Sequence, residues 1–491
     1  MCSSIKMLSD FFKNSTLVKK NSFFERHSEN RIEVSFHIFK EVTMQTIGYR
    51  TIILIFLGII TIFAELNQYS YAEVPDDCTH GLTLEECLTS ARERNPIILA
   101  AREKITELIA DYDAARSSFF PRIVLSSYVD KLDPDRLSAG GSSAQKLYTE
   151  ESLHSVTGKQ ILFDGLKTYF STKAADVGKA AQMKGTEQVM HDVEFMVTEA
   201  FYRVLEAKEN KKVAQNALEQ RRDFERLTNA FYNAGKITRL DFFRAQSQVF
   251  EAEQAVVEAE NAKQLAGMIL AKTMGVDNPT PITISGDVPE AFPSVSDFNT
   301  LWQQAQETNP EIKRLDLDVE QSKILVKAAK ADYFPEISLQ GNIGSRHWDR
   351  GGTEDEYMGG VFMEFPFFEG GLTRARVAKA ASQNLQLLEL KRDRIDQLRV
   401  DLMDARNGLE NARSGVDTAR QMIKSDTEGY NSSFMLYKNG KAIGLDVLQA
   451  QVELTKSQFY YISNAVAYEI NLARIKQITG ADLSVSASAK R

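Results

Sequence analysis

The sequence predicts a mixed α and β fold that is internally duplicated, each copy supplying one strand hairpin and one long helical hairpin. Two sets of landmarks carry the duplication. Asn95-Pro96 precedes Phe119-Phe120-Pro121 as Asn309-Pro310 precedes Tyr333-Phe334-Pro335, at an offset of 214 (310 − 96). Phe163-Asp164-Gly165 then matches Phe368-Glu369-Gly370, and Gly235 with Asp241 matches Gly440 with Asp446, at an offset of 205 (440 − 235). The third observation is proline usage: none lies between Pro134 and Pro279 and none after Pro366, so long helices are expected there. Repeats of this size bury their apolar faces against one another instead of closing separately.

The N-terminal 72 residues stand apart. Thr51 to Ala64 is uncharged and apolar, follows Arg50 and precedes Ser70-Tyr71-Ala72. This pattern predicts a signal peptide cleaved after Ala72, with Met44 as the start. The alternative, an uncleaved anchor, fits poorly because the run is short against about 30 Å of hydrocarbon. Export would leave 51 Lys and Arg (59 − 8) against 61 Asp and Glu (67 − 6), which argues against a nucleic-acid partner. Cys78 and Cys87 would meet an oxidising compartment and are a candidate disulfide. The alternative is that Cys87 is a buried small residue on a helix face.

The first unit covers residues 73–278. Thr83 and Glu86 form a capping box before Leu84, Cys87, Leu88 and Ala91, predicting a short helix to about Arg94. Asn95 then caps a helix with Pro96 in its first turn, carried by Ile98, Ala101, Ile105, Leu108 and Tyr112. Ile312, Leu315 and Val319 repeat the pattern in the second unit, residues 297–480. Both helices stop before the aromatic-Pro step.

Beyond that step the period becomes two. Ile337, Leu339, Gly341 and Ile343 alternate with Glu336, Ser338, Gln340 and Asn342, giving a strand with one apolar face. A Gly- and Asp-rich loop is expected from Ser345 to Glu356, and a second strand from Tyr357 to Phe368. The first copy gives Arg122 to Asp130 and Ser155 to Phe163, so the hairpins occupy about 121–165 and 335–370. Strands of about ten residues cross a bilayer when tilted in a barrel. Pro121 to Gly165 spans 44 residues against 35 for Pro335 to Gly370, and the first hairpin loop is the expected host of the extra nine.

Helical hairpins follow at about 166–275 and 371–480. Ile395, Leu398, Leu402, Ala405, Leu409, Ala412, Val416, Ala419 and Ile423 step 3, 4, 3, 4, a heptad seam that supercoils helices around neighbours. At the 205 offset the first copy gives Met190, Val193, Val197, Ala200, Val204, Ala207, Lys211, Ala214 and Leu218. Each long helix ends at a glycine, Gly235 or Gly440, and a helix returns from near Asp241 or Asp446. On the second, Leu445, Leu448, Val452, Phe459, Ile462 and Val466 are expected to keep the seam. Four prolines, Pro279, Pro281, Pro289 and Pro293, mark a connector at 279–296, and 481–491 is a C-terminal tail.

This ordered and duplicated set, from the Asn-Pro helix through Phe-Asp/Glu-Gly to the Tyr-x-x-Gly turn and the Asp-x-x-x-Ala helix, resembles the TolC-like outer-membrane efflux proteins. The resemblance runs from about Leu82 to Gly480. It implies a trimer, each chain giving four strands to a transmembrane β-barrel and four helical strands to a long, coiled-coil-like α-helical barrel in the periplasm. It also implies a periplasmic adaptor and an inner-membrane pump of RND or ABC type as partners, with drugs, metals or secreted proteins as cargo. Independently, four strands leave two open edges that hydrocarbon cannot satisfy, so several chains must pool theirs.

No chemistry competes with a conduit. His80, His154, His191 and His347 are scattered, without Ser/His/Asp grouping or Cys/His metal spacing, so no catalytic site, metal or cofactor is expected. The resemblance implies a constricted tip instead. By position Asp446 is the ring-forming aspartate, Tyr437 the lock tyrosine and Asp241 the lock aspartate of the other hairpin. Gln449 stands where a second aspartate sits in the family, and Ala442 where a lock arginine sits. The alternative for Asp241 and Asp446 is interaction with the helix dipole. Gly235 and Lys236, with Gly440 and Lys441, are the candidate adaptor-docking turns, helix capping being the alternative. Two other readings are a periplasmic adaptor, which carries one helical hairpin and separate β domains, and a structural coiled-coil protein, which needs no paired aromatic-Pro strands.

Overall fold

The chain separates into units of residues 1–77 and 78–491. The structure, a computed structural model, describes residues 81–131, 150–349 and 352–480, all in the second unit. The proposed Met44 start, the signal peptide, Cys78 and the tail at 481–491 lie outside the described residues, as does the pairing of Cys78 with Cys87. Cys87 itself is a buried thiol in a core with Ile98, Val197 and Leu270, where burial pushes it up to about 11.

Caps open each copy. Helix α1 (Leu84–Arg94) starts at Thr83, whose hydroxyl accepts from the Glu86 N–H while the Glu86 carboxylate accepts from the Thr83 N–H. Helix α2 (Pro96–Ser117) starts at Asn95, whose Oδ1 accepts from the Ile97 N–H at 2.8 Å. Strands β1 (Arg122–Lys131) and β2 (Glu150–Phe163) follow, then α3 (Lys167–Asn233) and α4 (Arg239–Thr273). The second copy repeats the order as α5 (Phe298–Thr308), α6 (Pro310–Ala331), β3 (Glu336–Trp348), β4 (Gly352–Glu364), α7 (Leu372–Lys438) and α8 (Gly444–Thr479).

The Asn-Pro motif also closes each copy. Asn95 Nδ2 donates to the Thr273 carbonyl at 2.7 Å, and Asn309 Nδ2 donates to the Ile478 carbonyl at 2.8 Å, so each cap satisfies the end of the returning helix as well. Helices α3 and α7 are both 67 residues long, or about 100 Å at about 1.5 Å per residue. Their middle turns bury the expected seam. Val193, Val197, Ala200 and Val204 pack in a core with Leu270 and Ile284, and Leu398, Leu402, Ala405 and Leu409 pack with Leu301, Tyr468 and Ile475. Each buried valine, leucine or isoleucine among them contributes about 1.5–3 kcal/mol, the alanines less.

The seam expected on α8 holds at Ile462 and Val466, which are buried, and at Leu448, which packs against the core of Phe224 and Tyr437. It is corrected at Leu445, Val452 and Phe459, which are exposed, whereas Val447, Gln451, Leu454 and Ser457 are buried. Nearer the tip the helix carries two stripes, and this chain covers the other one. Helix α4 likewise leaves Leu240, Phe243, Phe250 and Val257 exposed.

The strands form one antiparallel sheet in the order β1-β2-β3-β4. Their bounds depart from expectation in three places. The segment Ser345 to Glu356 is largely strand, because His347 pairs with Thr353 and Arg346 bonds Glu356 at 2.7 Å across the hairpin. Strand β4 ends at Glu364, before Pro366, which has no N–H for a ladder. Strand β2 begins at Glu150, five residues before Ser155 (155 − 150). Between the strands of the first hairpin lie residues 132–149, outside the described residues, against 349–351 in the second.

The faces of this sheet are inverted relative to a soluble fold. Cross-strand pairing puts Ile123, Leu125, Val156, Leu339, Ile343, Tyr357, Val361 and Met363 on one face. That face is exposed, to 75% at Leu125 and 88% at Tyr357. The opposite face carries Ser126, Glu151, Ser155, Thr157, Ser338, Gln340, Asn342 and Arg346, and Ser338 on it is only 3% exposed. Among the described residues no helix is long and apolar enough to cross a membrane.

Candidate functional site at the tip of the helical hairpins

The turns that join α3 to α4 and α7 to α8 are built alike. Gly235 and Gly440 adopt φ of +69° and +71°, and a Cβ at either would meet open space, so left-handed backbone strain is what selects glycine. The Gly235 N–H donates to the Tyr232 carbonyl and the Lys236 N–H to that of Phe231; Gly440 and Lys441 repeat this with Tyr437 and Leu436. Both lysines are exposed, and Lys236 Nζ lies 5.4 Å from the Phe231 ring centroid. The turns therefore cap their helices and still present a surface.

The two aspartates open the returning helices. Thr238 caps α4: its hydroxyl donates to Asp241 Oδ2 at 2.7 Å and accepts from the Asp241 N–H at 3.2 Å. Asp446 Oδ2 accepts from the Ile443 N–H at 3.3 Å, and the residue is exposed. Capping accounts for one oxygen of each carboxylate. Asp446 and Gln449 share an open groove of about 390 Å³ with Asp426 and Glu453.

Tyr437 is placed elsewhere, in a core shared by all four long helices. Phe224, Ala245 and Val447 surround it, with ring centroids 5.2 Å from Phe224 and 5.7 Å from Phe231. It is 4% exposed. Burial pushes its phenol up, Thr228 beside it lowers it, and the nearby Asp241 charge raises it. Among the described residues the Tyr437 hydroxyl and both amide atoms of Gln451 are buried without hydrogen-bond partners. Tyr437 and Asp241 thus lie near each other without a direct bond, while Asp446 and Gln449 face the α7/α8 groove.

Sequence reasoning missed Phe224, Thr228 and Gln451. None stands on the read seam; the available signal was the 205 offset, which sets Tyr437 against Tyr232. Tyr232 is 37% exposed and stacks on Phe242 at 5.4 Å, so equivalent tyrosines occupy different environments.

Comparison with known proteins fits this two-copy plan. The model of the outer membrane efflux protein family matches residues 87–276 and 301–481, one segment in each copy. The chain belongs to the outer membrane efflux protein family. Among relatives of this chain, CyaE of Bordetella pertussis is 24% identical over 324 residues, 63% of this chain and 65% of CyaE. The cobalt-zinc-cadmium resistance protein CzcC of Cupriavidus metallidurans is 25% identical over 278 residues, 56% of this chain and 64% of CzcC. The matched region is thus slightly under two thirds of either relative's length. In fold, the chain is similar to the CmeC outer membrane channel of Campylobacter jejuni, with a TM-score of 0.71 at 15% identity over 86% of this chain and 93% of CmeC.

Proposed function

We propose that this protein is the outer-membrane exit duct of a tripartite efflux or type I secretion system, a homotrimer that docks a periplasmic adaptor and an inner-membrane pump. The inverted sheet carries the reading. An exposed apolar face suits lipid, and a polar face suits a water-filled lumen. The two outer strands, β1 and β4, leave unpaired edges that only neighbouring copies can satisfy in hydrocarbon. Three copies would give about twelve strands, within the range of known barrels.

The helices support the same assembly. Exposed apolar residues at heptad spacing on α4 (Phe243, Phe250, Val257) and α8 (Leu445, Val452, Phe459) are the stripes a neighbouring copy would cover. The tunnel so formed extends about 100 Å into the periplasm. Asp446 would ring its narrow end, the buried ring of Tyr437 beside Asp241 would hold the closed state, and the turns at Gly235-Lys236 and Gly440-Lys441 would receive the adaptor. Cargo is selected largely by the pump. In planar bilayers the purified protein, or a Phe224→Ala variant with its tip loosened, should pass passive, ATP-independent current; a folded assembly that conducts in neither form would end the proposal.

A further inference from the structure

Charge on the polar face of the sheet is unevenly spread. Towards the ends that join the helices, Arg122 and Lys159 balance Glu336 and Glu364, with Lys159 and Glu336 paired at 2.7 Å. Towards the hairpin turns the same face carries Asp130, Glu151, Glu354 and Glu356. Among the described residues Arg346 is the one cation there. The described residues of this face therefore carry a net charge of −3 per chain in this stretch (1 − 4), and three chains would bring nine such charges together.

Arg346 sits at the centre of that group. Its guanidinium spans three strands, bonding Glu151 on β2 and Glu356 on β4, and lies 6.0 Å from the Trp348 ring. Tyr128 donates its hydroxyl to the same Glu151 carboxylate at 3.2 Å. Asp130 stands directly opposite Glu151 in the β1-β2 register, a like-charge pair that costs stability unless a cation is close. Asp130 and Glu354 are exposed and make no ion pair among the described residues.

We infer that Arg346 sets the ionic selectivity of the channel at its hairpin end: the lumen there favours cations, and Arg346 limits how strongly. The inference rests on the channel reading above. Charged rings select by sign in a narrow water-filled path, and the effect is largest where the Debye length, about 30 Å at 0.01 M salt, exceeds the pore radius. Cargo leaving this way would be cationic or zwitterionic more readily than anionic.

Reversal potentials of the intact channel across a low-salt KCl gradient test this. Arg346→Gln should raise the potassium-to-chloride permeability ratio, about twofold or more for one charge per chain. Arg346→Gln with Glu151→Gln restores the net charge of −3 and should return the ratio to the parent value. Asp130→Asn with Glu354→Gln, which touches only exposed and unpaired carboxylates, should lower it. A purely structural Arg346 would reduce the heat resistance of the assembly and leave reversal potentials unmoved. That outcome, or a failure of the charge-restored variant to recover, overturns the inference. A protein that passes no current even with its tip loosened by Phe224→Ala overturns the channel reading itself.

Discussion

Tyr437 on α7 places its ring 5.2 Å from that of Phe224 on α3, joining the tips of the two helical hairpins. This contact explains a difference between the copies. A Cβ at Gly444 would lie 3.3 Å from Phe224 and 3.6 Å from Tyr437. The equivalent residue in the first copy is Arg239, whose guanidinium instead lies 5.2 Å from the Phe243 ring centroid. The second position must be small because the aromatic pair occupies its space.

Phe224→Ala should therefore cost about 3–5 kcal/mol, the usual range for a large buried aromatic, and should loosen the tip. Gly444→Arg should do the same, whereas Arg239→Gly should not. Tyr437→Phe removes a buried hydroxyl that has no partner and should be neutral or slightly stabilising. Heat dissociation of the assembly and resting conductance measure both effects.

Asn309 offers a sharper separation of roles. Asn309→Asp keeps the oxygen that accepts from the Ile312 N–H but loses the amide that donates to the Ile478 carbonyl. Asn309→Ala loses both. The alanine variant should lose about 1–3 kcal/mol more than the aspartate variant if capping dominates; equal losses would place the weight on closure of the copy. Amide exchange at the C-terminal end of α8 reports the fraying that loss of the second bond allows.

Stability should fall as pH rises through the range set by two groups near the middle of the molecule. Burial holds the Glu469 carboxyl above its usual 4.5, although Tyr202 donates to it at 3.1 Å. Glu194, at 3.7 Å, holds His191 above 6.5. For a group raised on folding, the stabilisation is complete below the unfolded value and is lost as pH rises through the folded one. Glu469→Gln should accordingly gain heat resistance at neutral pH and match the parent below about pH 4.5. His191→Gln should remove the part of the decline that begins above about pH 6.5. Glu194, lowered by the same contact, acts in the opposite sense and loses its contribution only in acid.

Asp446→Asn keeps a cap acceptor for the Ile443 N–H while removing the charge. The channel should fold normally and lose block by multivalent cations applied from the tip side. Unchanged block would leave Asp446 a capping residue alone.

Much of the architecture was legible because it is local. Thr83, Asn95 and Asn309 cap helices through neighbours a few residues away, and the seam on α3 and α7 follows from periodicity. The second bond of Asn95 reaches Thr273, which no local pattern links to it. Glycine and aspartate misled the reading of Ser345 to Glu356: Asp349, Gly351, Gly352 and Asp355 resemble a long loop, whereas strand pairing sets Arg346 against Glu354 and His347 against Thr353. On α8, period alone did not show which stripe this chain covers. Phe224 stayed hidden because its contact lies between the copies, where no repeat constrains it.

The central claim is that copies of this chain pool their strands in the outer membrane. Cell fractionation followed by electrophoresis without boiling tests it most directly. A heat-sensitive band of three chains in the outer-membrane fraction is the predicted result; a monomer in the soluble periplasmic fraction would contradict it.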